Sequence, residues 1–249
     1  MSFEFLAPDQ AQAAPGGAPA LRSPIEWAHL DAGAKLGERA GWSYVRDYGD
    51  PAREAAACRE AVGVADLSYM GKIEVQARPA DLAQIVSGLA GGATLELGMA
   101  TDHDGVWWCP ITADRVLAIT RPEDTARIRQ SMEDAASRSS SFASVTELTS
   151  ALGSNAVTGP LAREAFARAT ALDMRPDRFP EKAFAPVSVA RTPAMVLREG
   201  GDRFLHLFGT GYSQYVWTVF ADAAEGLGGR PVGAEALEAG QEAEVGAGA

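Results

Sequence analysis

The hydrophobic and polar positions of the chain follow two alternating spacings, which together predict both helices and strands. Residues 79–89 carry apolar side chains three and four positions apart, so they are predicted to form a helix with one buried face. Residues 72–76 alternate polar and apolar side chains, as a half-buried strand does. Another helix is predicted over residues 51–61, because Asp50 and Pro51 suit its N-cap and first position.

The same two patterns extend along most of the chain. A helix is predicted to begin at Ser23, with Glu26 completing a capping box, and to carry its apolar face as far as Leu36. Further helices are predicted over residues 122–136, 161–169 and 212–227, and further strands over residues 105–108, 115–119, 150–157, 185–191, 194–198 and 203–208. Helix–strand–strand–helix units favour an α+β fold with antiparallel sheets and packed helices, and their recurrence indicates a pseudo-duplicated domain.

The two ends of the chain lack this patterning. Residues 1–20 are rich in Ala, Pro and Gly and are predicted to be a disordered leader, and residues 235–249 are predicted to be a flexible tail. The intervening residues 21–234 are predicted to form one domain. A chain of 249 residues is long enough to bury a sizeable core.

Charge and composition narrow the class of protein. The chain has 22 Lys and Arg against 33 Asp and Glu, a net charge of −11, so general binding to nucleic acid or to an anionic membrane is not expected. A local basic pocket for a polyanionic ligand is compatible with this charge. The sequence shows no signal peptide and no membrane-length apolar run, which predicts a cytoplasmic protein. The two cysteines and three histidines are scattered, so no metal site is predicted.

Several segments resemble the aminomethyltransferase family, whose type member is the glycine-cleavage T-protein. Residues 59–75, REAVGVADLSYMGKIEV, are similar to the family run REAVGLFDVSHMGKIEV, with Tyr69 in place of the usual histidine. Shorter matches occur in residues 23–42, 158–162 and 229–233, while parts of residues 172–220 are more similar to the gamma subunit of heterotetrameric sarcosine oxidase. The resemblance covers about residues 22–234 and does not extend to the family's C-terminal barrel domain.

The resemblance implies a channel for tetrahydrofolate. Family members use one carboxylate beside the folate nitrogens and a second one that accepts hydrogen bonds from the pterin ring. In this chain the position of the first carboxylate is held by Trp, Cys or Pro within residues 104–110, and Leu205 stands where the second is expected. The expectation is therefore a pterin-sized hollow that has kept its walls and lost its acidic groups.

The resemblance also supplies candidate site residues. The predicted cofactor-binding residues are Asp66, Tyr69, Met70, Trp108, Arg198 and Arg203. The two arginines would hold the folate glutamate tail or an acidic patch of a partner, and Asp102 or Asp104 would replace the lost catalytic aspartate. Each has a structural alternative, namely core packing for the aromatic residues and Met70, a turn or cap for Asp66, and solvated turns for the others. His206, on a strand among apolar residues, is predicted to be a core histidine.

Two functions follow as expectations. In the first, the chain is an accessory or binding module beside a larger flavin-dependent oxidase or demethylase subunit. In the second, it is a shortened tetrahydrofolate-dependent aminomethyl- or methyltransferase that acts on a small N-methyl or O-methyl donor through Asp66, Asp102 or Asp104. The missing carboxylates favour the first.

Overall fold

The computed structural model describes residues 21–238; the predicted leader (1–20) and residues 239–249 of the predicted tail lie outside the described residues. The helices are α1 (Glu26–Asp31), α2 (Pro51–Glu60), α3 (Pro79–Leu89), α4 (Thr125–Ser137), α5 (Ala162–Ala167) and α6 (Ser213–Glu225). The strands are β1 (Lys35–Arg39), β2 (Trp42–Asp47), β3 (Gly63–Asp66), β4 (Gly71–Ala77), β5 (Thr101–His103), β6 (Val106–Thr112), β7 (Arg115–Thr120), β8 (Ala143–Glu147), β9 (Leu152–Thr158), β10 (Phe184–Val189), β11 (Thr192–Gly200), β12 (Arg203–Gly209) and β13 (Arg230–Pro231).

The strands form two large sheets and one hairpin. The first sheet has six strands in the order β10-β11-β12-β9-β3-β13, and the second has five in the order β5-β6-β7-β4-β8. Strands β1 and β2 pair with each other as a separate hairpin. Neighbouring strands are antiparallel except for β13, which runs parallel to β3. The predicted α+β fold with antiparallel sheets and packed helices is therefore confirmed.

The two sheets stack face to face, and helices cover both outer faces. Residues that lie opposite one another on neighbouring strands share a face, so the register assigns each side chain to a layer. Val64 and Val157 belong to a core cluster with side chains of α5 and α6. Ala65 and Ala156, one position along, belong to a cluster with Leu117 of the five-stranded sheet. The other face of that second sheet packs against α3 and α4.

Local signals predicted several elements well. Helix α2 begins after Asp50, whose carboxylate accepts a hydrogen bond from the backbone N–H of Arg53 at 3.0 Å. Helix α3 has the predicted bounds Pro79–Leu89, and its buried face carries Leu82. In both helices the cap or the periodicity lies within one short segment, so no distant contact was needed to define them.

The first predicted helix is wrong in its second half. Helix α1 ends at Asp31, and Gly33 then adopts φ +83°, a conformation that turns the chain away from helical geometry. Leu36, assigned to the helix from its apolar character, lies on β1 instead. Ser23 does not cap α1 by accepting from Glu26, since the N-cap residue is Ile25 and no side chain caps this helix.

The packed part of the chain continues past residue 234. Residues 234–238 are helical, and Ala236 and Leu237 are buried in the cluster between the sheets. The segment that the sequence places at the start of the tail therefore contributes to the core. None of the helices formed by residues 21–238 has the length and hydropathy of a membrane-spanning segment.

Candidate functional site

A buried carboxylate, Asp66, stands at the end of β3 at the centre of a polar cluster. Its side chain is 4% exposed and lies 3.0 Å from the His29 ring, measured from Oδ2 to Nε2. Oδ1 accepts a 2.8 Å hydrogen bond from the backbone N–H of Ser68, and the hydroxyl of Ser23 donates to Oδ2. Both carboxylate oxygens are therefore occupied, as a buried charge requires.

His29 extends this cluster to a tyrosine. The Tyr48 hydroxyl lies 2.8 Å from His29 Nδ1, and the histidine ring meets the indole of Trp217 edge-on with centroids 4.6 Å apart. An ionised Asp66 can only accept, so His29 donates from Nε2. The result is a continuous buried chain of hydrogen-bonding groups, Tyr48–His29–Asp66.

The electrostatics of the cluster keep Asp66 ionised. Burial alone raises the pKa of Asp66. The hydrogen bond and charge attraction of His29, together with hydrogen bonds from Ser23 and Ser68, outweigh burial and hold this pKa below its usual value. Burial and the nearby Asp66 charge raise the pKa of Tyr48. The chain Tyr48–His29–Asp66 thus holds its protons on the tyrosine and the imidazole.

The polar residues continue along the same face of the six-stranded sheet. Asp66 lies opposite Asn155, and Asn155 lies opposite His206 on the next strand. Both Asn155 and His206 are about 1% exposed or less. Among the described residues neither has a side-chain hydrogen-bond partner. A row of three polar side chains therefore crosses the layer beneath α6, and only its first member is paired.

A buried amine lies on the other side of the β3–β4 turn. Lys72 is fully buried, and its Nζ donates a 2.9 Å hydrogen bond to the carbonyl oxygen of Ser68. Its register opposite Ile119 places it in the layer between the two sheets. Burial lowers the pKa of Lys72 to about 7, and the charge of Asp66 only partly opposes this.

The cavity at Asp66 is small. It measures about 10 Å³, which is room for about one water molecule. The hairpin β1–β2 forms one wall and α1 forms another. Tyr44 of the hairpin and Tyr69 cover the cavity with ring centroids 5.4 Å apart, and burial raises the pKa of Tyr69 to about 12.

Two of the predicted cofactor-binding residues line this cavity, and Met70 and Trp108 lie outside it. Asp66 and Tyr69 line the cavity, and Met70 is partly buried against the neighbouring cluster between the sheets. Trp108 lies in the layer beneath α3 and α4, on the opposite face of the five-stranded sheet. The alternation along β6 turns its neighbour Trp107 toward the space between the sheets.

The remaining predicted residues lie elsewhere. Asp102 and Asp104 are exposed on the β5–β6 hairpin, and the Asp104 side chain is 84% exposed, so neither converges on Asp66. Arg198 is buried and donates to the backbone carbonyls of Gly201 and Phe179. Arg203 is paired with Glu199 at 2.7 Å. Both arginines therefore stabilise the β11–β12 turn.

The positions that the family resemblance assigns to carboxylates are part of the core. Leu205 is 1% exposed and Cys109 is fully buried, and both belong to the cluster between the sheets. Burial raises the pKa of the Cys109 thiol well above its usual value, so the thiol is neutral. Apolar side chains thus fill the space between the sheets at both positions.

The sequence did not single out His29, Tyr48 and Lys72. His29 lies 37 residues from Asp66, and Tyr48 reaches it from beyond the hairpin. A weak signal existed, because an α1 position flanked by apolar residues buries a histidine only when it is hydrogen-bonded. Lys72 carried no signal, since the alternation of β4 resembles that of any half-exposed strand.

Comparisons with known proteins agree with this fold. Residues 25–243 match the model of the GCVT N-terminal domain. A probable aminomethyltransferase from Natronomonas pharaonis is 31% identical over 224 residues, covering 83% of this chain and 61% of the relative. The chain thus spans about three fifths of the length of this curated relative.

Two solved structures share the architecture. The glycine cleavage system aminomethyltransferase T from Bartonella henselae is 19% identical with a TM-score of 0.70, covering 86% of this chain and 60% of that one. A chain of heterotetrameric sarcosine oxidase from Corynebacterium sp. U-96 is 17% identical with a TM-score of 0.61, covering 72% of this chain and 93% of that one. Because the family model matches most of its length, this chain belongs to the GCVT N-terminal domain family.

Proposed function

We propose that this chain is an accessory module in tetrahydrofolate-linked one-carbon metabolism of N-methyl amines or glycine, working beside a flavin-dependent oxidase or demethylase subunit. The observation that carries the proposal is the burial of Leu205 in the core between the sheets, at the position where the family resemblance expects the second carboxylate. Cys109, one of the Trp, Cys or Pro residues that could hold the first position, is buried in the same core. A leucine cannot accept the hydrogen bonds of a pterin edge, and each unpaired donor would cost about 1–3 kcal/mol.

Size supports the same conclusion. The cavity that contains Asp66 and Tyr69 holds about one water molecule, whereas pockets for cofactor-sized ligands measure about 300–1,000 Å³. A pterin ring therefore does not fit this cavity.

The similarity to heterotetrameric sarcosine oxidase supports a partner. The match covers 93% of that chain, so the shared fold makes up nearly all of one chain in an oxidase of several subunits. A module of this size that works within a larger assembly needs no complete catalytic site of its own. The predicted partner is a larger flavin-containing subunit.

A binding experiment tests the proposal. Trp42 lies in the core between the sheets and Trp107 borders it, so their fluorescence reports a ligand entering that space. Titration of the isolated chain with tetrahydrofolate is expected to give no saturable change up to about 0.1 mM, a limit that corresponds to roughly 5 kcal/mol of binding. Co-expression with a flavin oxidase subunit is expected to give a complex with flavin absorbance.

One observation favours the alternative of a remodelled transferase. Asp66 is a buried, ionised carboxylate backed by His29, an arrangement that could stabilise a cationic intermediate if the cavity opened. This alternative predicts micromolar tetrahydrofolate binding and one-carbon transfer by the isolated chain, both weakened in Asp66→Asn and retained in the exposed control Asp50→Asn. Folate turnover by the isolated wild-type chain would overturn the accessory function.

A further inference from the structure

A groove on the five-stranded sheet shares no lining residue with the cavity at Asp66. It has a volume of about 630 Å³ and runs between α3, the segment 93–97 and the end of β6. The residues that line it include Ala83, Gln84, Ser87, Leu97 and Pro110. None of them lines the cavity at Asp66.

The size of the groove matches a small organic ligand. Ligand pockets measure about 300–1,000 Å³, and this volume lies in the middle of that range. The groove has this volume because several of the side chains that line it are small. Ala83 and Ser87 are one helical turn apart on the outer side of α3, where exposed helices usually carry long charged residues.

The lining of the groove has no charge. Its residues are Pro, Ala, Gln, Ser, Thr and Leu, on a chain in which 22% of residues are charged. The acidic residue nearest in sequence on α3, Asp81, is instead held by hydrogen bonds from Ser140 and Ser141. A charged ligand would find no ionic partner among the residues that line the groove, so the hydration it loses there is not compensated by them.

Two features favour an apolar molecule with a few polar atoms. The Leu97 side chain is 60% exposed beside the groove, and Pro110 contributes apolar surface to the floor. Gln84 and Ser87 have no side-chain hydrogen bonds to other residues of 21–238, so their amide and hydroxyl are available to orient a ligand.

The segment 93–97 forms one wall of the groove and is held at both ends. The Gly92 N–H donates to the carbonyl of Ser87 at 2.8 Å, and the carbonyl of Gly98 accepts from the N–H of Phe184 on β10 at 2.9 Å. The wall is therefore fixed by backbone hydrogen bonds to α3 and to the six-stranded sheet.

We propose that this groove is a binding site for an uncharged, mainly apolar small molecule, oriented by Gln84 and Ser87. The site is separate from the proposed accessory function and does not depend on it. The ligand contributes apolar surface against Leu97 and Pro110 and one or two hydrogen-bonding atoms toward α3.

The test uses the full chain and Nile red, a neutral dye whose fluorescence rises in apolar surroundings. We expect saturable binding of one dye per chain. Ala83→Arg places a long charged side chain in the groove and should weaken binding at least about tenfold, a change of roughly 1.4 kcal/mol. Ala80→Arg is the matched control, because Ala80 is exposed on the same helix and does not line the groove. It should leave binding unchanged.

Several results would overturn the proposal. These are non-saturable binding to the wild type, equal weakening by both arginine variants, or equally tight binding of the anionic dye anilinonaphthalene sulfonate at the same place. Dimerisation in sedimentation velocity that Ala83→Arg abolishes would assign the groove to a second copy of the chain instead. If Ala83→Arg fails to fold by circular dichroism, Ala113→Arg on the opposite wall replaces it, since Ala113 is exposed in the β6–β7 turn.

Discussion

His206 lies directly opposite Asn155 across β12 and β9, and both polar side chains are buried with no partner among residues 21–238. Three phenylalanine rings surround the imidazole, those of Phe166, Phe208 and Phe220, with their centroids 5.0–5.9 Å from its own. Burial lowers the pKa of His206 to about 3. The imidazole of His206 is therefore neutral in the folded protein. Its protonation would favour the unfolded state.

Replacement of His206 by leucine should remove an acid sensitivity. The unfolded state binds the His206 proton below pH 6.5 and the folded state binds it only near pH 3, so wild-type stability falls as the pH drops through this window. Between pH 7 and pH 4 the wild type should lose about 3 kcal/mol more of its free energy of unfolding than His206→Leu does, because each pKa unit corresponds to about 1.4 kcal/mol. Urea denaturation at pH 7 and pH 4 measures it.

The matched control is His103→Leu, because the His103 side chain is 39% exposed. This variant should lose as much stability between pH 7 and pH 4 as the wild type does. An equal acid sensitivity in His206→Leu and the wild type would show that His206 is charged in the folded protein.

Lys72→Met should stabilise the protein below neutral pH. Burial lowers the pKa of Lys72 to about 7, so the folded state disfavours its proton while the unfolded state keeps it up to about pH 10.5. The gain on removing the amine should be greatest below pH 7, about 5 kcal/mol at about 1.4 kcal/mol per pKa unit, and should vanish as the pH rises toward 10.5. Thermal unfolding at pH 6 and pH 9.5 tests this, with exposed Lys182→Met as control. A destabilised Lys72→Met at pH 6 would contradict it.

Asp66→Asn should destabilise the folded protein at neutral pH. The amide has one acceptor oxygen in place of two, so it cannot accept from Ser68 on one side and from His29 and Ser23 on the other. Hydrogen bonds to a charged group are worth about 1.5–3 kcal/mol each, so a loss of about 2–4 kcal/mol is expected. Since the pKa of Asp66 is held below its usual value, the wild type loses this advantage only as the pH falls through that lowered pKa. Denaturant midpoints at pH 7 and pH 3 measure it. Asp50→Asn, an exposed cap, should change little.

Gly233→Ala should be strongly destabilising. A Cβ at this position would overlap the backbone carbonyl of Arg46, and the Gly233 N–H donates to the buried Glu54 at 2.8 Å. Backbone atoms cannot move aside as a side chain does, so a loss of at least about 2 kcal/mol is expected. The control Gly88→Ala has open space around its Cβ within α3 and should stabilise by about 0.5 kcal/mol. Equal melting temperatures for the two variants would refute this.

The elements that the sequence predicted well are those defined by local chemistry. Helix α2 shows its cap and first-turn proline within two residues, and α3 shows a full apolar face. Strand β3 was missed because all four of its residues are buried and it has no alternation. The β1–β2 hairpin was missed because Leu36 of β1 was assigned to the preceding helix. Gly33 precedes the hairpin and Ala40–Gly41 forms its turn, and all three residues have positive φ.

The candidate site could be predicted only in part, because only some of its residues lie in segments with a recognisable local sequence. Asp66 and Tyr69 were found through a continuous run of family-like sequence, and both line the cavity. His29 comes to Asp66 through the packing of α1 on α6, which involves residues nearly 190 positions apart and leaves no local pattern. Whether the carboxylate of Asp104 faces the interior depends on the geometry of the β5–β6 hairpin. In the structure Asp104 lies in the exposed turn of this hairpin, so its carboxylate faces solvent.

The apolar filling between the two sheets also limits which substitutions the protein tolerates. Opening a space for a ligand there would require several large-to-small replacements at once, at positions such as Leu117, Leu205 and Leu207. Each would cost about 2–5 kcal/mol, while a whole domain is stable by only about 5–15 kcal/mol. A cavity engineered between the sheets therefore needs compensating stabilisation elsewhere in the domain.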